Sequence, residues 1–386
     1  MRKQVLLLIM FLITLISSCK EATEYRDVVF FTGTETSPLV KFTVDEPSVI
    51  AVTVTSTDKV AQDTEVDVAV SDELLDSYNK ANSRSYVALP SKNYNLDKTK
   101  VIIKAGTHIS EGLRLNIRSL EGLDASKIYC IPITITGVST GIPILEASKT
   151  IYIVLNRPVY SRVINMEGCA FNVPKFYDDE RVSALSALTM EARVRANSWA
   201  TVNPFISSVM GIEEQYLLRF GDISLNTGDR LQMGPAQIGG KKYFPSGNTI
   251  FKTDTWYHIA SVFDGSSIAL YVNGVLDVKI SVDPGTVSLN GGTYDGFWIG
   301  KSNTGRVFNG AISEVRIWNK ALTATELQDN ACIVDPLSPG LLAYWKFNAL
   351  QEDGDQIWVH DETGNGFDAY ANNGSYTWIE NVKCPY

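Results

Sequence analysis

Residues 267–280 read Ser-Ile-Ala-Leu-Tyr-Val-Asn-Gly-Val-Leu-Asp-Val-Lys-Ile, which is two short runs of β-forming residues on either side of Asn273-Gly274. An Asn-Gly pair tolerates the two positive φ angles of a type I′ turn better than other pairs do. The pattern therefore predicts a tight antiparallel hairpin with strands at 267–272 and 275–280.

Two neighbouring segments extend this β pattern. Residues 255–264 and 310–319 are rich in aromatic and β-branched residues, which is typical of strands. Thr323 and Glu326 then have the Thr-x-x-Glu spacing of a capping box, which predicts a brief helix. The second half of the chain is therefore expected to be antiparallel β.

The first half also predicts strands. Large apolar residues alternate with smaller or polar ones in its short runs, the mark of half-buried strands. The predicted strands are residues 28–31, 49–54, 65–70, 100–104, 113–117, 129–136 and 149–155. Residues 71–79 place Leu74, Leu75 and Tyr78 on one helical face, which predicts a short helix. Pro158 restricts the preceding residue, so 156–158 is expected to be a linker.

Length and charge limit the class of protein. A chain of 386 residues predicts two domains and a targeting segment. Acidic residues outnumber basic ones 43 to 34, and no basic patch stands out, so nucleic-acid binding is not expected. Three histidines and five cysteines without a Cys-x-x-Cys string argue against zinc sites.

The N-terminus predicts export and lipidation. Arg2 and Lys3 precede an apolar run at 5–16 that is too short to span a membrane. The string ending in Ser17-Ser18-Cys19 resembles the bacterial lipobox, which implies that residues 1–18 are a signal peptide and that Cys19 is lipidated. The alternative is an ordinary signal peptide with an accidental cysteine. Lys20-Glu21 resembles the surface-export signal of Bacteroidetes lipoproteins, so we expect an outer-membrane protein that faces the exterior and contacts the membrane only through its lipid.

Four strings in the first half carry a family resemblance. Residues 71–79, 89–94, 103–106 and 129–133 resemble the N-terminal domain of unknown function of Bacteroidetes polysaccharide-utilisation lipoproteins. The resemblance implies an immunoglobulin-like β-sandwich over residues 19–157. In that family the domain stands between the lipid anchor and a functional C-terminal domain.

The strings in the second half resemble the LamG, or concanavalin A-like, jelly roll. They are residues 256–260, 270–274, 310–323, 342–347 and 361–366. The resemblance implies an all-β chain in which the immunoglobulin-like β-sandwich is followed by a concanavalin A-like (LamG) jelly roll at 158–386. The element at 343–347 usually opens such a domain but here lies near its end, as if the strand order were permuted.

No catalytic residue is assigned. Jelly-roll glucanases carry their carboxylates as Glu-x-Asp-x-x-Glu or Glu-x-Asp-x-Glu, and neither string occurs. The acidic stretches 178–180, 213–214 and 352–353 fit solvated loops. His258 lies in an apolar strand, where a packed histidine is the simpler interpretation.

Aromatic residues in glycine-rich loops are the predicted ligand contacts. Tyr243, Phe244 and Tyr294 follow or lie within such loops, and exposed rings stack on the C–H faces of sugars. The alternative is that these rings cover the edge of the sandwich. Trp256, Trp318 and Trp345 are expected in the core.

Two further sites are predicted near the C-terminus. Asp361, Asn365 and Asp368 offer hard oxygen ligands for a structural calcium ion, although the same residues also suit a metal-free turn. Cys332 and Cys384 both lie in the C-terminal stretch of an exported protein, so we expect them to form a disulfide. The remaining cysteines, Cys130 and Cys169, are expected to be buried thiols.

These observations predict a non-catalytic, lipid-anchored carbohydrate-binding protein of a cell-surface glycan-utilisation system. Its expected partners are a glycan and other surface glycan-uptake proteins, with calcium as the only candidate cofactor. Two alternatives stay open. One is a structural or adhesive module that binds protein, and the other is a glycoside hydrolase or lyase with an unfamiliar site.

Overall fold

The computed structural model describes residues 27–44, 47–292, 296–372 and 374–384. Two hydrophobic cores form within these ranges. Val29 to Leu155 contribute one core, and Ile164 to Ala369 contribute the other. The sequence between the two cores, from Leu155 to Ile164, contains the stretch 156–158, where the linker is expected. In the described ranges, no helix is long and apolar enough to cross a membrane.

The N-terminal domain has eleven described strands and one α-helix. The strands are β1 Val29–Phe31, β2 Leu39–Thr43, β3 Ser48–Val52, β4 Val54–Ser56, β5 Thr64–Val70, β6 Val87–Ala88, β7 Tyr94–Leu96, β8 Lys100–Ile103, β9 Leu113–Ile117, β10 Tyr129–Val138 and β11 Thr150–Asn156. Helix α1 spans Leu74–Asn82, between β5 and β6.

These strands form three sheets around the first core. One has the order β2-β11-β10-β5-β8, with β6 also on β10, and the others have the orders β3-β9-β7 and β1-β4. In β5, Val66 and Val68 are buried while Asp67 is exposed, as the alternation predicts. The predicted strand at 49–54 divides at Thr53, because Ile50 pairs with β9 whereas Val54 pairs with β1.

The C-terminal domain has seventeen described strands and a second α-helix. The strands are β12 Val159–Glu167, β13 Phe171–Asn172, β14 Leu188–Ala196, β15 Ser207–Ile212, β16 Tyr216–Asp222, β17 Thr227–Ile238, β18 Lys241–Tyr243, β19 Tyr257–Phe263, β20 Ser267–Val272, β21 Val275–Ser281, β22 Trp298–Ile299, β23 Asn309–Trp318, β24 Leu341–Trp345, β25 Gln351–Asp353, β26 Gln356–Val359, β27 Ala369–Ala371 and β28 Ser375–Cys384. Helix α2 spans Ala324–Asp329.

Two antiparallel sheets hold the second core between them. The eight-stranded sheet has the order β21-β20-β19-β14-β23-β12-β28, with β24 also paired to β23. The nine-stranded sheet has the order β18-β17-β16-β15-β22-β13-β27-β26-β25. The predicted all-β class is confirmed, and β24 lies beside β23 although it comes late in the chain.

The hairpin and the second helix form where the sequence predicts them. Asn273 and Gly274 have φ values of 52° and 72°, and β20 pairs with β21 across them. The Thr323 hydroxyl accepts a hydrogen bond from Glu326 N, and the Glu326 carboxylate accepts one from Thr323 N. This reciprocal pair is the predicted capping box.

The cysteines occupy two kinds of environment. Cys332 and Cys384 form a disulfide with a Cα–Cα distance of 5.7 Å, which joins the end of β28 to the segment after α2. Cys130 and Cys169 are buried free thiols. Burial raises the pKa of Cys130 to about 12 and that of Cys169 to about 11, so both stay protonated at neutral pH.

Candidate functional site

Four adjacent strands of the nine-stranded sheet present polar and aromatic side chains on its outer face. β22, β13, β27 and β26 each place one residue in the core: Ile299, Phe171, Ala369 and Val359. Successive side chains in a strand point to opposite faces. The neighbouring residues Trp298, Asn172, Tyr370 and Trp358 therefore point away from the core.

Strand register brings these four residues into one line. Asn172 lies opposite Trp298 on one side and opposite Tyr370 on the other, and Tyr370 lies opposite Trp358. We call this set the aromatic row. Three strand spacings separate its ends, so it is about 14 Å long.

The rings of Trp358 and Tyr370 are half-buried and adjacent. Their centroids are 6.2 Å apart, with an angle of 33° between the ring planes. Trp298 is only 8% exposed, and Lys301 Nζ lies 3.4 Å from the centroid of its ring. The accessible aromatic surface of the row therefore comes mainly from Trp358 and Tyr370.

Amide groups lie within the row and at its end. Asn172 Nδ2 donates a hydrogen bond to the carbonyl oxygen of Phe297 at 3.1 Å, which fixes the orientation of the side chain between two aromatic neighbours. Gln351, which pairs with Trp358 across β25 and β26, is exposed. The surface combines ring faces with hydrogen-bonding amides.

A second line of paired residues, all polar, crosses the same sheet on β15, β16 and β17. Ser208 lies opposite Arg219, which lies opposite Gln232. Arg219 Nε donates to Gln232 Oε1 at 3.0 Å, and its guanidinium also pairs with Asp222. Burial lowers the pKa of Arg219, although Asp222 opposes that effect. The side chain of Arg219 is therefore a hydrogen-bonding partner of both Gln232 and Asp222 beside the aromatic row.

The predicted loop aromatics occupy different environments. Tyr243 packs against the core, and its hydroxyl oxygen accepts a hydrogen bond from Asp283 N at 3.0 Å. This favours the alternative that the Tyr243 ring covers the edge of the sandwich. Phe244 is 49% exposed and lies beside Gly234, away from the aromatic row along the strand order. Tyr294 lies outside the described residues.

The predicted calcium loop is held by its own hydrogen bonds. Asp361 is fully buried, and its carboxylate accepts hydrogen bonds from the backbone N–H groups of Tyr344, Thr363 and Phe367 at 3.0–3.1 Å. The Thr363 hydroxyl adds bonds of 2.8 and 2.9 Å. The carboxylate therefore acts as the centre of a turn.

The other two candidate ligands are also engaged. Asp368 Oδ1 accepts from Asp361 N at 2.8 Å, and Asn365 Nδ2 donates to Leu342 O at 2.9 Å. Two cations approach Asn365: Lys175 Nζ lies 3.0 Å from its carbonyl oxygen, and Arg181 lies near its side chain. In the described ranges, no group of three or more His, Cys, Asp or Glu could hold a metal ion. The loop fits a metal-free turn better than a calcium site.

A charged cluster lies buried against the eight-stranded sheet. Glu191 is fully buried and accepts from Arg316 at 3.1 Å and from Trp318 Nε1 at 2.9 Å, with His258 Nε2 2.9 Å away. Burial opposes ionisation of Glu191, but the Arg316 charge and these hydrogen bonds hold its pKa below the usual value. Burial raises the pKa of the neighbouring Glu314.

The charged cluster is buried, so a ligand in solution does not reach it. Leu322 before α2, Leu327 within it and Val334 after it pack with Trp318 and Tyr344 into a small apolar cluster. His258 is 2% exposed, which agrees with the packed-histidine interpretation. Glu191 and Glu314 therefore stabilise the buried positive charge of Arg316.

The acidic stretches seen in the sequence have simple partners. Asp179 accepts hydrogen bonds from Arg181, Glu213 pairs with Arg306, and Glu214 pairs with Lys242. Residues 352–353 are exposed on β25. Asp179, Glu213 and Glu214 are thus each neutralised by a neighbouring cation.

None of the four residues of the aromatic row is among the ligand contacts predicted from the sequence. Trp298 and Tyr370 belong to strands of two and three residues, too short to show a clear period. The alternation of Ile357-Trp358-Val359 hints that Trp358 faces outward. Only strand register brings the residues together.

Family comparisons agree with this architecture. Residues 25–142 match a family model described only as an N-terminal domain. Residues 175–328 match the model of the concanavalin A-like lectin/glucanases superfamily. The comparison with curated proteins found no match.

One solved structure shares the fold of both domains. It is a protein from Bacteroides ovatus ATCC 8483, provisionally named a carbohydrate binding protein, with 23% identity and a TM-score of 0.56. The alignment covers 92% of this chain and 97% of that one.

Two weaker similarities concern glycan-related proteins. EndoBT-3987 of Bacteroides thetaiotamicron, solved with a Man5GlcNAc product, is 24% identical over 34% of this chain and 30% of its own, with a TM-score of 0.28. The CBM40 of the Ruminococcus gnavus IT-sialidase, bound to α2,3 sialyllactose, is 17% identical over 44% of this chain and 96% of its own, with a TM-score of 0.34. These low TM-scores carry no argument. The family matches and the fold place the C-terminal domain in the concanavalin A-like lectin/glucanase superfamily, behind a β-rich N-terminal domain.

Proposed function

We propose that the C-terminal jelly roll binds glycan chains at the aromatic row. The observation that carries the proposal is the pair of adjacent, half-buried rings of Trp358 and Tyr370 on the outer face of the nine-stranded sheet. Sugar rings present apolar C–H faces that stack on such rings, and their hydroxyl groups bond to nearby amides. Asn172 and Gln351 supply those amides.

The strand scaffold suits an extended ligand. The row crosses four strands in a straight line, so a chain of sugars can lie along it without entering a deep pocket. Few polar groups on such a surface are fully desolvated, so we expect a dissociation constant in the ~μM to mM range. Many copies on one surface would raise the overall avidity.

Two further observations support a carbohydrate ligand. The superfamily matched by residues 175–328 is named for lectins and glucanases. The Bacteroides ovatus protein that shares the two-domain fold carries a name that refers to carbohydrate binding. We infer that binding is not followed by cleavage, because neither carboxylate string of the jelly-roll glucanases occurs in the sequence, and the buried carboxylates Glu191 and Glu314 are paired with Arg316.

The proposal includes a surface location. We propose that Cys19, which lies outside the described residues, is lipidated and anchors the chain in the outer membrane. The N-terminal domain would then hold the jelly roll away from the membrane. In that position the jelly roll could transfer bound glycan to uptake proteins. Replacement of Cys19 by alanine should abolish labelling by a palmitate analogue, and persistent labelling would contradict the anchor.

A glycan array tests the proposed function. Mature protein should bind a defined subset of immobilised polysaccharides, and the Trp358→Ala variant should lose that signal. Binding to no glycan at millimolar concentration would favour the protein-interaction alternative. Release of new reducing ends from a bound glycan would instead establish a hydrolase or lyase.

A further inference from the structure

We infer that a polar groove on the eight-stranded sheet is a second binding site, specific for neutral oligosaccharides. The inference rests on the proposed glycan binding and extends it to the opposite face of the jelly roll. The groove has a volume of about 700 Å³. Its polar lining consists of Asn165, Glu167, Arg195, Asn197, Asp254 and Asn309.

The groove lies on the outer face of the sheet. Ile164 and Met166 of β12 point into the core, so Asn165 and Glu167 point outward by the alternation of a strand. Arg195 of β14 faces outward by the same argument, because Val194 packs in the core. The site therefore lies across the sandwich from the aromatic row.

Three asparagines form a fixed chain of amides in the groove. Asn197 Nδ2 donates to Asn165 Oδ1 at 2.8 Å and to Asn309 Oδ1 at 3.1 Å. Asn165, only 8% exposed, donates in turn to Glu167 Oε1 and Thr377 Oγ1 at 3.2 Å. Because these bonds orient the amides before any ligand arrives, binding needs little further ordering of side chains.

The rim of the groove carries positive and negative side chains whose charges nearly cancel. Arg195 pairs with Asp254 at 2.5 Å, and Glu167 adds one exposed carboxylate. The local sum is slightly negative, which disfavours phosphate, uronate and other acidic ligands. Val307 and Ile379 add apolar contact area beside these polar groups. This mixture fits the hydroxyls and C–H faces of a neutral sugar.

The two sites cannot share one short ligand. Packed sheets lie about 10 Å apart with a filled core between them, so a sugar on one face does not reach the other except around the edge. The jelly roll would thus hold two glycan segments at once. It could bind two glycan chains at once, or two segments of one long glycan chain.

A variant with a disabled aromatic row isolates the groove. The full mature chain carrying Trp358→Ala and Tyr370→Ala is titrated calorimetrically with cellohexaose, xylohexaose and mannohexaose. We expect residual binding of at least one of them. Addition of Asn197→Ala should weaken it about fivefold or more, as expected for loss of an ordered hydrogen-bonding amide. Asn309→Ala should weaken the residual binding to a similar extent, whereas Asn95→Ala in the N-terminal domain should leave it unchanged.

The outcomes separate the two claims. If the row variant loses all binding that the wild type shows, the groove inference is wrong and the proposed row site stands. If the row variant binds as well as the wild type and Asn197→Ala removes binding, the groove stands and the row site is wrong. Absence of binding by the wild type to all three sugars at about 10 mM overturns the groove inference. Thermal unfolding of each variant shows that it is folded.

Discussion

Arg84 of the N-terminal domain donates a hydrogen bond from Nη1 to Asp329 Oδ2 of α2 at 2.6 Å. Their side chains are only 14% and 8% exposed, so this ion pair is sheltered from solvent where the two domains meet. Lys41 Nζ reaches the other oxygen of Asp329 at 3.2 Å. One carboxylate thus joins β2 and the turn after α1 of the N-terminal domain to the jelly roll.

Asp329→Asn should weaken the contact between the domains. Removal of one partner leaves the Arg84 charge poorly compensated, with an expected cost of about 1–3 kcal/mol. Limited proteolysis at 156–158 should become faster. Lys41→Ala is the matched comparison and should have a smaller effect, because Lys41 is 42% exposed. Equal cleavage rates for all three proteins would contradict this account.

Removal of the disulfide should destabilise the jelly roll. Cys332 and Cys384 are 52 positions apart, and closing a loop of that size contributes about 4 kcal/mol in the chain-entropy model. Chemical denaturation of the double variant Cys332→Ser, Cys384→Ser should show this loss. Reductant should shift the wild type toward the variant and leave the variant unchanged. Coincident curves without reductant would exclude a stabilising bridge.

Asp264 should make stability depend on acid pH. Burial raises its pKa, but hydrogen bonds from Ser267 and Ser266 outweigh that effect and hold the pKa well below the usual value. A lowered pKa gives stabilisation that is complete above the unfolded value of about 4 and is lost as pH falls toward the folded value. Asp264→Asn should therefore be less stable than the wild type at pH 7.

The difference should shrink progressively below about pH 4, as the free energies of unfolding measured at several pH values would show. Asp353→Asn, on the exposed strand β25, is the control and should follow the wild type throughout. A deficit of Asp264→Asn that stays constant down to pH 2 would refute the assigned role of the carboxylate.

Calcium should not stabilise the loop at 361–368. The Asp361 oxygens already accept backbone and hydroxyl hydrogen bonds, and Lys175 lies next to the loop. The unfolding temperature should be the same after treatment with EDTA and after addition of millimolar calcium. A ligand that binds only the folded state raises that temperature by mass action, so a calcium-dependent increase would restore the calcium site.

Local patterns allowed much of the fold to be predicted. The 267–280 hairpin, the Thr323 capping box and the buried Cys130 depend on residues close in sequence or on simple burial. The turn at Asp361 illustrates a real ambiguity, since the same carboxyl suits a metal ion or a set of N–H groups. The hydrogen bonds to Asp361 favour the turn, and the comparison of EDTA-treated with calcium-loaded protein tests that choice.

The aromatic row could not be predicted in the same way. Asn172 becomes the neighbour of Trp298 and Tyr370 only through strand pairing across more than a hundred positions. Their strands are two or three residues long, so neither periodicity nor turn residues indicate which side chains line up. Tyr243, by contrast, lies next to a glycine-rich loop in the sequence, but its partly buried ring packs against the edge of the core.

The affinity of Trp358→Ala for the strongest array glycan tests glycan binding at the aromatic row most directly. Isothermal titration should show a dissociation constant raised about 5- to 150-fold, by analogy with ~1–3 kcal/mol per stacked ring. The unfolding temperature should not change. Tyr160→Ala, which removes a 56% exposed ring on β12, should bind like the wild type. An unchanged dissociation constant for a folded Trp358→Ala variant would contradict the account.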